Sequence, residues 1–512
     1  MRIQISIIIG FTLIMALVLA GATAAKGSTP HHPDLIDGKI GDREVDDGTL
    51  TKAREENLRE FFLNGYEHFN QGRYLEASCD LYEYLHRLTP DSTDYEWAEF
   101  FFGISLKKLG FSHASVDTLV HLVTRRPNLK IITYSLELLE EISRSKPFDR
   151  DLLVLTALCD QSYDFTKGAV AEFVNYYQGE YDWEHGLFQW GDNHFKKLTK
   201  NSHYYHKSIF KKGLREISDG RIDVAMDLFK QILTAETASV ELKDDTRKTL
   251  ARLYYETGQY TEADFLYHQI EMNIVEQAQN LLERAWAHYR MGNPERSMGL
   301  LYSFEAPSYQ NSFTPEFYIL KSFIYKDVCH YEKAMHVLDS FKERYGPALE
   351  KIYQRGKAQD NDALLLVILN KRRVKRLWQF LTLLEKEQTQ CETIADKKLV
   401  AYLTQLYSLK RAEYEKHFRL MVENEYEKIA NGLLQFEEEA HLMEYEIGLD
   451  MYQRVSEFRY TNDKSPETLQ NKKKRVAVYP FQGEFWNDEL DNYTVTLPNK
   501  CKDAEEWDIF FK

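Results

Sequence analysis

The sequence predicts an all-α fold, an α-solenoid of stacked helical hairpins, and three observations carry that prediction. A Gly-centred turn followed five residues later by a small residue keeps returning: Asn70-Gln71-Gly72-Arg73-Tyr74-Leu75-Glu76-Ala77, Ser218-Asp219-Gly220-Arg221-Ile222-Asp223-Val224-Ala225, and Glu256-Thr257-Gly258-Gln259-Tyr260-Thr261-Glu262-Ala263. Weaker copies are Gly110 with Ser115, Gly292 with Ser297, and Cys329-His330-Tyr331 with Ala334. A turn returning every 34 to 40 residues or so marks an array in which each hairpin buries its neighbour's apolar face. The second observation is that only 24 Gly and 12 Pro occur in 512 residues, too few for a turn-dense β fold. The third is helical spacing of apolar residues from Leu58 onward. A solenoid also accommodates a chain this long, because its core grows with each repeat.

Taken in order, the chain opens with Met1-Arg2, an apolar run from Ile5 to Ala20, and Gly21-Ala22-Thr23-Ala24-Ala25. This is the pattern of a secretory signal peptide over 1–25, and an uncleaved membrane anchor is the alternative. No Cys follows the apolar run, so a lipidated N-terminus is not expected. Residues 26–55, with Pro30, His31-His32-Pro33 and several Asp and Gly, read as a flexible leader. The hairpin array spans 56–347, with its pattern blurred over 128–205, where Tyr176-Tyr177-Gln178-Gly179 reads as a degenerate turn with Glu184 in the small position.

From 348 to 460 the composition is strongly helical. Within it Tyr426, Ile429, Leu433, Phe436, Ala440, Met443 and Ile447 alternate spacings of three and four, a heptad seam. The seam either self-associates through 426–447 or folds back onto the array, and its single Leu and its Ala favour fold-back or partner docking. A charged linker covers 461–474, and 475–512 forms a short extended or β tail. Within that tail, Val476 to Leu490 and Tyr493 to Leu497 read as two short strands.

On these residues the array resembles tetratricopeptide repeats. That family sets small residues where the two helices of a hairpin cross and large apolar ones toward the next hairpin. Gly65, Ala77 and Leu81 match it, with Pro90 near the exit, as do Gly103, Ser115, Leu119 and Pro127. Gly213, Ala225 and Phe229 match in turn, then Ala251, Ala263 and Tyr267, then Ala285, Ser297 and Leu301, then Ser322, Ala334 and Leu338 with Pro347. The step from Gly258 to Gly292 is the family's own 34-residue period. What the resemblance implies is a non-enzymatic scaffold or adaptor that holds peptides or proteins in a concave groove. The overall layout is similar to exported bacterial scaffolds of envelope-associated assemblies, periplasmic or secreted; a membrane-anchored assembly factor of a motility or secretion machine is the variant if the leader stays.

The formal charge of −15 makes nucleic acid an unfavourable partner and favours basic or polar ones. Five Cys at irregular spacing argue against a disulfide framework, and Cys79 and Cys329 read as small buried residues. No phosphate-binding loop, nucleophile elbow, zinc-protease motif or dinucleotide fingerprint is present, so no catalytic, cofactor or metal residue is assigned. His185, His194, His203 and His206 are the nearest approach to a metal group, and packed or solvated His is the better reading.

Aromatics crowd 173–206. Core packing accounts for most of them, and the excess makes Tyr176, Tyr177, Tyr181, Trp183, Trp190, Tyr204 and Tyr205 candidates for partner binding, with Phe485 and Trp486 in the tail. The rival reading is a cell-wall or glycan-binding or glycan-active protein using the same region, with Glu180, Asp182 and Glu184 as its carboxylates.

Overall fold

A computed structural model describes residues 48–502 except 93, 160, 201, 271–273, 307–308, 310–311 and 462–492. The expected signal peptide, the leader up to 47, the linker, the strand at 476–490, and Phe485 and Trp486 lie outside the described residues. Among the described residues every regular element is a helix.

The first hairpin is α1 (Gly48–Asn70) with α2 (Tyr74–Arg87), so helix begins inside the stretch expected as leader. Then come α3 (Tyr95–Leu109) with α4 (Ser112–Thr124), and α5 (Leu129–Ser145) with α6 (Arg150–Leu152), which continues as a π-helical turn, Leu153–Leu158. Next are α7 (Gly168–Glu184) with α8 (Phe188–Lys196), α9 (His203–Ser218) with α10 (Ile222–Thr234), and α11 (Val240–Glu256) with α12 (Tyr260–His268). The last pairs are α13 (Ile274–Arg290) with α14 (Pro294–Tyr302), and α15 (Pro315–Asp327) with α16 (Tyr331–Tyr353). Pro347 was expected to end the array, but α16 runs through it to Tyr353. Three further helices follow: α17 (Asp362–Asn370), α18 (Arg372–Gln390) and the 65-residue α19 (Lys397–Thr461).

One rule builds the hairpins. A small residue in the first helix is followed seven residues later by a left-handed turn residue and five after that by a small residue in the second helix. The turn glycines Gly72, Gly110, Gly220, Gly258 and Gly292 have φ of 74°, 94°, 76°, 80° and 78°, a region where a Cβ is strained. The small first-helix residue leaves room for a large buried partner: a Cβ on Gly65 would meet Leu81 at 2.8 Å, and one on Gly213 would meet Phe229 at 2.5 Å. At two of the Ser positions the hydroxyl also donates across the crossing, Ser297 Oγ to Ala285 O (2.7 Å) and Ser322 Oγ to Ala334 O (3.1 Å).

The second half of the stretch expected to be degenerate, the α7–α8 pair, obeys the same rule in another register. Gly179 is not a turn but the small residue of α7, packed on Phe195; the turn is Gly186 (φ 78°), and Gly191, not Glu184, is the small residue of α8. Only the α5–α6 pair lacks the phrase, since Lys146-Pro147 makes its turn.

The chain divides into two compact units, 1–239 with 376–418 and 240–375 with 419–512. In the first, α18 and α19 supply Phe380, Leu384, Leu399, Leu403 and Tyr407 to a core shared with Phe62, Leu81, Leu106 and Phe111. Buried Glu387 of α18 accepts hydrogen bonds from the first N–H groups of α4, Ser112 (2.9 Å) and His113 (3.0 Å), and from Tyr407 Oη of α19 (2.7 Å). A carboxylate at a helix N-terminus satisfies donors the helix cannot. Lys410 of α19 pairs with buried Asp149 at 3.1 Å.

In the second unit, Lys326 of α15 and Lys342 of α16 pair with Glu446 and Glu444 of α19, and Tyr353 Oη donates to Glu437. The heptad seam is buried here: Tyr426, Ile429, Leu433, Ala440, Met443 and Ile447 are buried and Phe436 is half-buried. It therefore folds back, and those positions are covered by the chain itself rather than left open for a second copy.

Candidate functional site

Tyr176 and Tyr204 do not line a groove. They sit in the core of the first unit with Phe173 and Phe195, while Tyr177, Trp183 and Tyr205 pack half-buried against it. Ring pairs run Phe173–Tyr177 (5.0 Å), Tyr176–Tyr204 (5.3 Å) and Trp183–Phe195 (5.2 Å). Burial pushes the Tyr177 hydroxyl up to about 12, so it stays protonated. Tyr181 is half-buried beside the His185 ring, 4.1 Å away. Trp190 alone of the described candidates is largely exposed, at 70%. The physical reason is periodicity: 173, 176 and 177 share one helix face, the spacing of a core stripe.

The carboxylates of the glycan reading are engaged elsewhere. Glu180 pairs with Arg150 (3.0 Å) and with Lys211, Glu184 with Arg150 (2.8 Å), and Asp182 with His194 (3.7 Å). Burial alone would raise the Glu180 pKa, but Lys211 and Arg150 outweigh it and hold it below the usual carboxylate value. These groups tie α7 to its neighbours, and Glu180, held ionised, is poorly suited to deliver a proton near neutral pH. Of the His group, His206 Nε2 meets Thr237 Oγ1 (2.9 Å) and His194 Nδ1 meets Asn175 Oδ1 (3.1 Å). Burial first, then Lys207 and Arg144, depress His203 to about 4.

The resemblance also implied a concave groove that holds peptides or proteins, and the first helices of the hairpins are one face open to such a role. In the second unit that face is met by the chain's own α19: Glu439 lies near Glu316 of α15, and Glu446 pairs with Lys326 of the same helix.

A different surface is open. On α19, Leu442 (54% exposed), Tyr445 (66%), Leu449 (41%) and Tyr452 (73%) repeat at three, four and three residues, a second apolar stripe facing away from the buried seam. Beside it runs a groove of about 410 Å³ lined by Tyr353, Leu434, Glu437, Glu438, His441 and Leu442. It is continuous through Tyr353, Glu437 and His441 with a second hollow of about 430 Å³ reaching Phe341, Leu349 and Ala440. Between 434 and 454 the helix carries Glu437, Glu438, Glu439, Glu444, Glu446 and Asp450; Glu444 and Glu446 are paired with Lys342 and Lys326 and Glu439 lies near Glu316, which leaves Glu437 and Glu438 as the acidic edge of the groove. The heptad count in the sequence finds one seam, and the same residues counted from Leu442 would have found this one.

No family model matches the chain, and no curated protein matches it. Among solved structures it is similar to a tetratricopeptide repeat protein from Parabacteroides merdae, at 15% identity and a TM-score of 0.23, over 56% of this chain and 93% of that one. A TM-score that low carries no weight; the all-α fold rests on the helices, and its hairpins are tetratricopeptide-like in their Gly–small geometry. Among the described residues no helix is long and apolar enough to cross a membrane.

Proposed function

We propose that the chain is a non-catalytic interaction scaffold whose docking surface is the outer stripe of α19, and that its partner presents a basic amphipathic helix. The observation that carries this is the stripe itself: four large apolar side chains in register, exposed, beside a groove and rimmed by carboxylates. Apolar surface of this kind is costly to leave in water and is typical of interaction sites. A helix from a second copy would bring the same acidic rim, and like charges would oppose it; Lys and Arg flanks on a partner complement it.

The chain is also proposed to be exported, to the periplasm or beyond. The signal-like N-terminus supports this, as does the Cys329–Cys501 disulfide described next, since such bonds persist in oxidising compartments.

The test uses two synthetic helical peptides sharing one Leu stripe, one flanked by Lys and Arg and the other by Glu. Calorimetry should give micromolar binding of the basic peptide to the intact protein and none of the acidic one, with the Leu442→Asp/Leu449→Asp variant at least tenfold weaker. Equal binding of the basic peptide to that variant would reduce the effect to net charge and overturn the assignment.

A further inference from the structure

Two residues of the last hairpins have no counterpart in the others, a glycine inside a second helix that meets another segment and a cysteine at the turn, and both meet the same segment, 493–501. Gly299 lies inside α14, where helix propensity favours Ala. The three atoms nearest a Cβ there would be Tyr493 O (2.0 Å), Tyr493 C (2.8 Å) and Thr494 Cα (3.2 Å), all from that segment. Cys329 stands at the left-handed turn position (φ 59°) that glycine fills in the sister hairpins. It was expected to be a small buried thiol; instead it is bonded to Cys501 across 172 residues of sequence.

Between these points residues 493–499 run without regular structure over α14 and the α15–α16 turn, with no strand partner, and end in a 3-10 turn at Lys500–Lys502. Val495 N–H donates to Glu295 O (3.1 Å), Leu497 N–H to Glu295 Oε1 (3.2 Å), and Lys500 N–H to Val328 O (3.1 Å). Arg296 Nη1 donates to Tyr493 O (3.1 Å), and His330 Nε2 lies 2.7 Å from Pro498 O. Almost every polar contact is to main chain. The side-chain contacts are the Tyr493 ring stacked on Tyr302 (5.5 Å) and the buried Leu497.

We propose that this seat is a binding site for an extended peptide with an aromatic residue and, four residues on, a Leu. The chain's own 493–501 is its resident occupant, and the Cys329–Cys501 bond is the lock that holds it there. Main-chain recognition of this kind accepts any segment that stays extended, while the Gly299 notch sets how closely it approaches. Linking occupant and seat in one chain raises its effective concentration, and the covalent bond removes exchange altogether. A dithiol opens the lock by thiol–disulfide exchange: both cysteines gain one electron and one proton, and the reductant leaves as its own disulfide. Arg454 Nη2, 2.6 Å from Cys329 Sγ, favours the thiolate form that exchanges.

The test uses the full chain carrying Cys501→Ser with Tyr493→Ala and Leu497→Asp, so that Cys329 is a free thiol and the tethered segment loses its two side-chain anchors in the seat. It is incubated in glutathione buffer with a synthetic peptide of residues 493–502 that keeps its cysteine. The Cys329 thiolate takes glutathione from its disulfide, and the peptide thiolate then displaces it, so the two electrons leave on glutathione. Mass mapping should find the native-sequence peptide on Cys329 at least tenfold more than a scrambled peptide with the same cysteine. Adding Gly299→Ala should bring it down to the scrambled level while circular dichroism stays unchanged. Equal trapping of the scrambled peptide, or undiminished trapping in the Gly299→Ala chain, would overturn the proposal.

Discussion

Glu387→Ala gives the account its sharpest energetic prediction. The side chain is buried and receives three hydrogen bonds, from Ser112 N, His113 N and Tyr407 Oη, at 2.9, 3.0 and 2.7 Å. Hydrogen bonds to a charged group contribute about 1.5–3 kcal/mol each, but they share one desolvated carboxylate and do not add. Burial raises the Glu387 pKa, so part of that energy offsets desolvation. Truncation leaves two helix N–H groups and a phenol without their acceptor, and an unsatisfied buried donor costs about 1–3 kcal/mol. Glu387→Gln keeps one acceptor oxygen but turns an amide donor toward an N–H, at about 1–3 kcal/mol. Hydrogen exchange read by mass spectrometry is the assay, because a two-unit chain has no single unfolding free energy. Protection should fall in the first turn of α4 and at 397–410 together. A loss below about 1 kcal/mol at both would refute the claim that Glu387 ties the C-terminal helices to the hairpins.

Three further outcomes follow from the packing. Burial, then Glu283 and Glu439, raise the Glu316 carboxyl from 4.5 to about 7. Its contribution is present in full below pH 4.5 and is lost as pH rises through about 7, roughly 3 kcal/mol in all. Glu316→Gln should therefore match the parent at pH 4 and melt higher at pH 8 to 9; equal melting at both would contradict the shift. Gly213→Ala should destabilise by about 1–3 kcal/mol, because its Cβ meets buried Phe229 at 2.5 Å. Gly432→Ala meets nothing within 4 Å and should stabilise α19 by about 0.5–1 kcal/mol. Denaturant melts of the pair check the sign of each.

The hairpins were legible because two constraints, a left-handed turn and a close helix crossing, each demand small residues at fixed spacing. Where both Gly179 and Gly186 could serve as the turn, the wrong choice put Glu184 at the crossing and made a regular hairpin look degenerate. The aromatic region misled because composition counts rings without saying where they face, although the spacing of Phe173, Tyr176 and Tyr177 already marked a core stripe. Nothing local marks the seat of 493–501. Gly299 reads as an ordinary helix residue, and the Cys329–Cys501 pairing spans a distance that spacing cannot convey.

The central claim is that partners dock on the outer stripe of α19. Photocrosslinking amino acids placed singly at Tyr445, Tyr452, Trp190 and Tyr134 in the native cell test it directly, all four being exposed side chains. The account predicts one shared protein adduct at Tyr445 and Tyr452, absent at Trp190 and Tyr134 and lost when Leu449→Asp is added. The same adduct at Trp190 with none at Tyr445 and Tyr452 would contradict it and move the docking surface to α8.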